Sequence, residues 1–386
     1  MRPVTQTLVL MDLAVRSLPH RIGSPLVIAL SMTCVAAVLL SMLSETEGIA
    51  CAYNTGADLR HVIVLSAQNL SEFGNGISRD EAGTILDAPG IARRPDGGPA
   101  ADPEVLFWIP PTGAYTVGSP ELRGIGRGGL AVRPQFRFLS GRMFRAGHHE
   151  LMVGVLAARA FGLKIGDRMI LPDGDWPIVG VFADGGSILE GELLTDAETL
   201  MSSSGLNGFG SVLVTLDRPG DFGTFRRWLT GNPTLLVAAE TQSDYAQQTA
   251  NRLGSFFTKV AYVIASIMTL GALFGAVKIM STSVAARTRE IAILRAVGFS
   301  SAPVAISVVL ETTILSVAGA AFGGALAWLL FDGKLIQTFD SAYSASVSPG
   351  LFALGFAWSL ALAFLGGLPP ALRAARLSVS RALLAS

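Results

Sequence analysis

The side chains best placed by type and spacing to do chemistry are the cations of the stretch VAARTREIAILRAVGFSS, residues 284–301. Arg287, Arg289 and Arg295 share it with one acid, Glu290. At 100° per residue Ile291, Ile293, Leu294 and Val297 fall within one arc of a helical wheel, and Gly298 supplies a helix stop. A basic helix with apolar knobs predicts a docking surface rather than a reaction. Glu311 is a second such position, an acid inside an apolar run, where insertion costs about 2.5 to 3.5 kcal/mol. It follows Ala302 by about two and a half helical turns, within reach of a basic partner such as Arg287 or Arg295. That structural pairing is the expectation, ahead of a substrate or proton site.

Other patterns point to chemistry and fail on context. Gly124, Gly126 and Gly129 satisfy GxGxxG, but the following LAVRPQFRFL reads as strand, whereas a dinucleotide site needs a helix N-terminus there. A turn is predicted. His148, His149 and Glu150 lie side by side, do not converge on one face, and have no HExxH or second cluster to complete a metal site. No GxxxxGK[ST] occurs, so these residues hold no phosphate-cradling loop of that kind. With four histidines and no Ser/His/Asp arrangement, the chain is expected to be a non-catalytic subunit, with no catalytic, cofactor-binding or metal residues of its own.

The elements around these residues follow from composition. Half of the 386 residues are hydrophobic, 15% are charged and the net charge is zero, with a mean hydropathy of +0.50. Membrane-spanning helices are therefore expected. Cys34 and Cys51 are too few for a disulfide framework and lack metal-ligand spacing. The first segment, 1–24, reads as a cytoplasmic amphipathic helix with Arg2, Arg16 and Arg21. Residues 25–43 form the first span, capped by Ser24 and opened by Pro25. GIAC ending at Cys51 faintly resembles a lipoprotein cleavage site, yet the apolar run exceeds a usual signal-peptide core, and an uncleaved anchor is expected.

Residues 44–255 read as a soluble α+β domain. HVIVLSA, EVLFWI, LAVRPQFRFL, ELMVGV, RMILP, WPIVGVFA and SVLVTL are predicted strands. RDEAGTILDA, LAARAFG, AETLMSS and DFGTFRRWLTG are predicted short helices, and the Pro/Gly-rich stretch from Ala88 to Pro103 an exposed loop. A polar helix then leads into a second span, 256–284, followed by the segment 285–301 and a third span, 302–331. A short outer loop, 332–349, a fourth span, 350–369, and a tail, 370–386, complete the chain. Gly271 with Gly275, and Gly319 with Gly323, form GxxxG pairs suited to close helix packing. The N-terminal segment, the 285–301 segment and the tail hold nine arginines against two acids. By the positive-inside rule both termini are cytoplasmic and the large domain is extracytoplasmic.

With these elements in order, the chain resembles the permease subunits of ABC transporters of the MacB/LolC/FtsX-like family. RTREIAILRAVG at Arg287 to Gly298 resembles that family's cytoplasmic helix after the second span, and PALRAARL at Pro370 to Leu377 resembles its ending. GRMF at Gly141 to Phe144, Glu150, LAARAFGLKIGD at Leu156 to Asp167 and WPIVGVFAD at Trp176 to Asp184 resemble its MacB-like periplasmic core domain. The tail continues Ser378-Val379 where Asp-Pro is usual, and the region from Gly48 to Ala131 matches poorly. The resemblance implies a coupling helix whose Arg287, Arg289, Glu290, Ile291, Leu294, Arg295 and Gly298 contact an ABC ATPase subunit. It also implies that ATP and Mg are bound by that partner and no cofactor by this chain.

The expected function is thus mechanotransmission: ATP hydrolysis in a separate subunit drives movement of the outer domain. The expected cargo is a lipid, lipoprotein, peptide or amphiphilic compound, and the expected setting a homodimer or related permease pair in the bacterial plasma membrane. A periplasmic adaptor is a further expected partner, and no nucleic acid is. Two other readings remain open from the residues: an FtsX-like regulatory subunit controlling an outer partner without cargo, and a receptor ectodomain with no ATPase.

Overall fold

The computed structural model describes residues 23–54, 60–68, 70–109, 120–171, 173–297, 300–337 and 342–376. Residues 1–22 of the amphipathic segment expected at 1–24, Gly298 and the tail beyond 376 lie outside the described residues. The chain divides into two compact units. One comprises residues 1–44, 256–332 and 346–386; the other comprises 45–255 and 333–345.

Among the described residues, four helices are long and apolar enough to cross a membrane, over Leu26–Tyr53, Gly254–Ala286, Ser301–Phe331 and Pro349–Ala375. They belong to α1 (Gly23–Asn54), α6 (Gln242–Ala286), α8 (Ser301–Phe331) and α9 (Pro349–Ala375). α1 runs past the expected limit of 43, because Ile49 and Ala52 are buried against Ala250 and Tyr343 and make further turns worth ordering. α9 likewise continues past 369: Pro369 and Pro370 lie inside it, and burial of Pro370, Ala371 and Ala374 holds the chain helical beyond them. Its start follows ordinary capping, with Ser348 accepting from the Leu351 amide and Pro349 in the first turn.

Within the helical unit, glycine decides which helices touch. A Cβ at Gly319 would stand 2.5 Å from the Ala29 carbonyl oxygen, and one at Gly323 would stand 2.5 Å from that of Thr33. α8 therefore lies directly on the α1 backbone, and Thr33 Oγ1 donates to the Gly319 carbonyl at 3.1 Å. Gly271 and Gly275 correct the expectation made for them. A Cβ at either meets nothing within 4 Å, so among the described residues that pair makes no close helix contact. α6 instead uses Ala261, Ala265 and Ala272 as its buried small residues, and Thr269 Oγ1 accepts from Trp358 Nε1 of α9 at 2.9 Å.

The second unit is built on a ten-stranded mixed sheet. Its strands are β1 (His61–Ser66), β3 (Ala101–Phe107), β4 (Leu122–Ile125), β5 (Phe136–Gly141), β6 (Leu151–Gly154), β7 (Arg168–Leu171), β8 (Gly174–Asp184), β9 (Leu193–Asp196), β11 (Ser211–Thr215) and β12 (Val237–Thr241). They run in the order β12-β1-β11-β3-β4-β9-β6-β8-β5, with β7 also paired to β8. Most pairs are antiparallel, but β4 runs parallel to β9 and β6 parallel to β8. β2 (Ile77–Ser78) and β10 (Gly208–Phe209) form a small separate pair.

Alternation along the strands assigns two faces. Val62, Val64, Val105, Leu122, Val212 and Val214 share a core with residues of α2 (Arg79–Leu86), α3 (Val155–Phe161), α4 (Ala197–Ser204) and α5 (Phe222–Gly231). The opposite alternation places Asp102 and Glu104 of β3 and Arg123 of β4 together on the other face.

Two expectations change here. The stretch 88–103 is not simply an exposed loop: Ala88, Ile91, Ala100, Ala101 and Asp102 are buried, and β3 begins at Ala101. The segment 332–349, expected as a short outer loop, carries the hairpin β13 (Leu335–Gln337) and β14 (Ala342–Ser344). Residues 333–345 belong to the second unit, where Tyr343 packs on Ile49, Ala52 and Ala250.

Candidate functional site: a docking helix and a buried charge cluster

The segment read as a docking surface folds as α7 (Thr288–Ala296), set off from α6 by a single turn residue, Arg287. Ile291 and Ala292 are buried, and Ile291 packs with Met280 and Val284 of α6, Val304 and Val308 of α8, and Ala371 and Ala374 of α9. α7 is thereby anchored by one side. Arg289 and Glu290 are exposed, as are Ile293 at 50% and Val297 at 76%. This divides the apolar arc read from the helical wheel. Ile291, expected to contact a partner subunit, is instead in the core, and Ile293 and Val297 supply the outward apolar surface. Leu294 and Arg295 lie within α7 and Gly298 lies outside the described residues.

Arg287 and Glu311 are brought together: Arg287 Nη1 is 3.4 Å from Glu311 Oε2, with both side chains mostly buried. The pair joins the α6–α7 corner to α8. At the same end of the helical unit, Arg373 Nη1 of α9 donates to Ser281 Oγ of α6 at 3.2 Å.

The second assembly has no signal in the residue order. Arg123 uses its guanidinium on three carboxylates. Nε reaches Glu192 Oε2 at 2.6 Å and Nη2 reaches Glu192 Oε1 at 3.0 Å, a bidentate pair. Nη1 serves Glu72 at 2.6 Å and Glu104 at 2.9 Å. Glu104 also accepts from Arg133 Nη2 at 2.5 Å. Burial works against the charge on Arg123 but is outweighed by Glu192 and Glu72, so its affinity for the proton rises well above the usual range. Burial pushes the Glu192 carboxyl up, opposed by Arg123. Burial, and then the charge of Glu104, pushes Asp102 well up.

Asp102 explains the GxGxxG stretch. The Gly126 amide donates to both Asp102 oxygens at 3.0 Å, and a Cβ at Gly129 would stand 2.9 Å from Asp102 Oδ2. Gly124 is in β4, where a Cβ would stand 2.7 Å from the Ala197 Cα. Gly126 and Gly129 let the chain close around a buried acid, and Gly124 lets β4 approach the start of α4.

The histidines diverge. His149 stacks on Trp176 with ring centroids 4.5 Å apart and lies 3.2 Å from Asp173 through Nε2. Glu150 takes Arg142 on both oxygens and the Arg145 amide at 3.0 Å. Arg142 first, and that amide after it, hold Glu150 down at about 2. Among the described residues no group of three or more His, Cys, Asp or Glu could hold a metal ion, and Cys34 and Cys51 are in no disulfide.

Comparison with known proteins bears on the helical unit. Residues 262–379 match the family model described as FtsX-like permease C-terminal, a segment that contains α7. Two curated relatives are the Macrolide export ATP-binding/permease proteins MacB 2 and MacB 1 of Yersinia pestis bv. Antiqua, strains Antiqua and Nepal516. Each is 30% identical over 141 residues, which is 36% of this chain. The chain spans about one fifth of the length of these relatives, 20% in each case. Among solved structures, the extracellular domain of the noncanonic ABC-type transporter YknZ from Gram-positive bacteria aligns with a TM-score of 0.35 at 14% identity. That alignment covers 47% of this chain and 99% of that one, a likeness too slight to carry an argument. Over residues 262–379, then, the chain is similar to the C-terminal part of FtsX-like permeases.

Proposed function

We propose that the chain is the membrane subunit of an ABC transporter and receives work from a separate ATPase through α7. One observation carries this reading. α7 is fixed on its inner side by Ile291 and Ala292 while presenting Arg289, Ile293 and Val297 outward, so a partner gripping that surface moves a helix already seated on three others. The match of residues 262–379 to a permease family and the likeness to proteins named ATP-binding/permease support it.

In this reading the ATPase subunit binds ATP and Mg, and closure of its nucleotide site displaces α7. Because α7 is bound to α6 and α8 through the Arg287–Glu311 pair, the displacement tilts the spans, and the second unit changes shape outside the cell. Spans with almost no charged lining suit conformational transmission better than a hydrophilic pore. Two copies, each offering one α7, match the paired sites of a symmetric ATPase and make a homodimer the expected assembly. The setting is the bacterial plasma membrane with both termini cytoplasmic, and the cargo class is a lipid, lipoprotein, peptide or amphiphile handled by export or extraction, with an adaptor where a second membrane exists.

The test is affinity purification of the tagged full chain from its native membrane, with ATP hydrolysis measured in the eluate. Wild-type chain brings ATPase activity with it, and the combined change Arg289→Glu, Ile293→Asp and Val297→Asp removes at least about nine tenths of it. Equal activity with and without those changes defeats the proposal.

A further inference from the structure

The ten-stranded sheet has two ends, and they are finished differently. At one end β12 joins the core that α5 completes, with Val237 and Ala239 buried alongside Phe225 and Leu229. At the other, β5 pairs among the described strands with β8 alone, and Arg137, Phe138, Leu139, Ser140 and Gly141 are all exposed. Every second residue of an antiparallel edge strand turns its N–H and C=O away from its neighbour. Among the described residues, 137–141 make no hydrogen bond outside the β8 ladder, so β5 offers an unpaired edge. Proteins usually blunt such an edge with charge, proline or a covering element.

This edge is apolar as well as open. Phe138 is 49% exposed and Leu139 54% exposed. The register with β8 shifts between Phe138 and Ser140, a bulge that leaves Leu139 without a partner residue. Ile165 reaches the same strand, since a Cβ at Gly141 would stand 2.9 Å from its Cδ1, and it is 44% exposed. Phe138 is held edge-on by Phe136 with ring centroids 5.3 Å apart, and Phe136 stacks on the buried Phe182 at 5.1 Å. The apolar surface therefore rests on a packed core. Its charge is of one sign: residues 133–145 hold four arginines and no acid. Arg133 is engaged by Glu104 and Arg142 by Glu150, whereas Arg137 and Arg145 are exposed and form no ion pair among the described residues. The acid across the ladder, Asp184 opposite Phe136, accepts from Ser187 Oγ at 2.7 Å.

We propose that the β5 edge receives one extended, acidic strand of a partner protein, which adds to the sheet beside Phe138 and Leu139. Main-chain hydrogen bonds hold the strand, Phe138, Leu139 and Ile165 take its apolar side chains, and Arg137 and Arg145 select acids over bases. A second copy of this chain fits less well, because β5 against β5 brings these arginines toward their own counterparts. An anionic lipid surface also fits less well, since it offers no strand to pair the edge groups. The surface belongs to the second unit alone and does not depend on the ATPase reading of α7.

The experiment is fluorescence anisotropy on the full chain in nanodiscs of zwitterionic lipid, with labelled peptides of about eight residues, the length of a strand. One peptide alternates Glu with Val and Thr. A second carries Lys in place of Glu, and a third keeps Glu but is N-methylated along its backbone, which removes the ladder donors and leaves the side chains. The expected result is that the first peptide binds at least about tenfold more tightly than either of the others, and that Arg137→Glu and Leu139→Ser each weaken it about tenfold. Both side chains are exposed, so these variants keep the wild-type melting temperature. Equal binding of the Glu and Lys peptides, or binding unchanged by N-methylation or by Arg137→Glu, overturns the proposal. So does displacement of the Glu peptide by phosphatidylglycerol vesicles, which assigns the edge to lipid. Loss of a two-copy assembly in Arg137→Glu, read by mass photometry, overturns it as well and assigns the edge to a second copy.

Discussion

Arg123 serves three buried or nearly buried carboxylates from one guanidinium. Replacing it with Met removes the cation that serves both Glu72 and Glu192 and leaves buried carboxylates without that partner. The expected cost is about 3 to 5 kcal/mol, measured by chemical unfolding of the full chain in detergent; a loss under about 1 kcal/mol contradicts it. Glu150 makes a different prediction, in pH. Its carboxyl sits at about 2 in the fold against an ordinary 4.5, so its contribution is fully present above the ordinary value and fades as pH falls from there toward 2. Thermal melts of wild type and Glu150→Gln should converge as the pH is lowered through that window. Parallel curves over the whole range would show that Glu150 is not held by Arg142. The Arg123 cluster is not evident in the residue order, because Glu72, Glu104, Arg123 and Glu192 come from four separate segments that only the sheet brings together.

At the scale of elements, the long apolar helices and the strands with dense apolar, β-branched runs are legible in the sequence: HVIVLSA, RMILP and SVLVTL appear as β1, β7 and β11, and RDEAGTILDA as α2 with its Ser78/Glu81 capping box. β4, β9, β12 and the β13–β14 hairpin are not, since LRGI, LLTD and LIQ are too short to carry a period. The wheel of α7 places Ile291 and Ile293 in one wide arc, and only packing against α6, α8 and α9 separates them. Ile291→Ala is accordingly expected to destabilise the helical unit by about 2 to 5 kcal/mol, while Ile293→Ala and Val297→Ala change stability little and act on partner binding. The two GxxxG pairs look alike in sequence and differ in structure. Gly319→Leu or Gly323→Leu forces a side chain onto the α1 backbone and should lower the melting temperature by many degrees, whereas Gly271→Leu and Gly275→Leu leave the isolated chain's melt unchanged. Equal effects from both pairs would contradict the packing of α8 on α1.

For the whole molecule, the proposal is that one chain holds both the receiver and the performer of work: α7 in the helical unit and the ten-stranded sheet in the other. The link runs through covalent continuity, since α6 is a single helix from Gln242 to Ala286. The measurement that reaches this claim most directly is hydrogen exchange on the full chain in nanodiscs with the proposed ATPase subunit, read with ATP and without nucleotide. Coupling of this kind predicts that ATP changes exchange in α7, along 242–255 and in β3 and β4 together, and that Arg289→Glu with Ile293→Asp and Val297→Asp abolishes all three changes. A nucleotide response confined to α7, with the sheet unaltered, would contradict it.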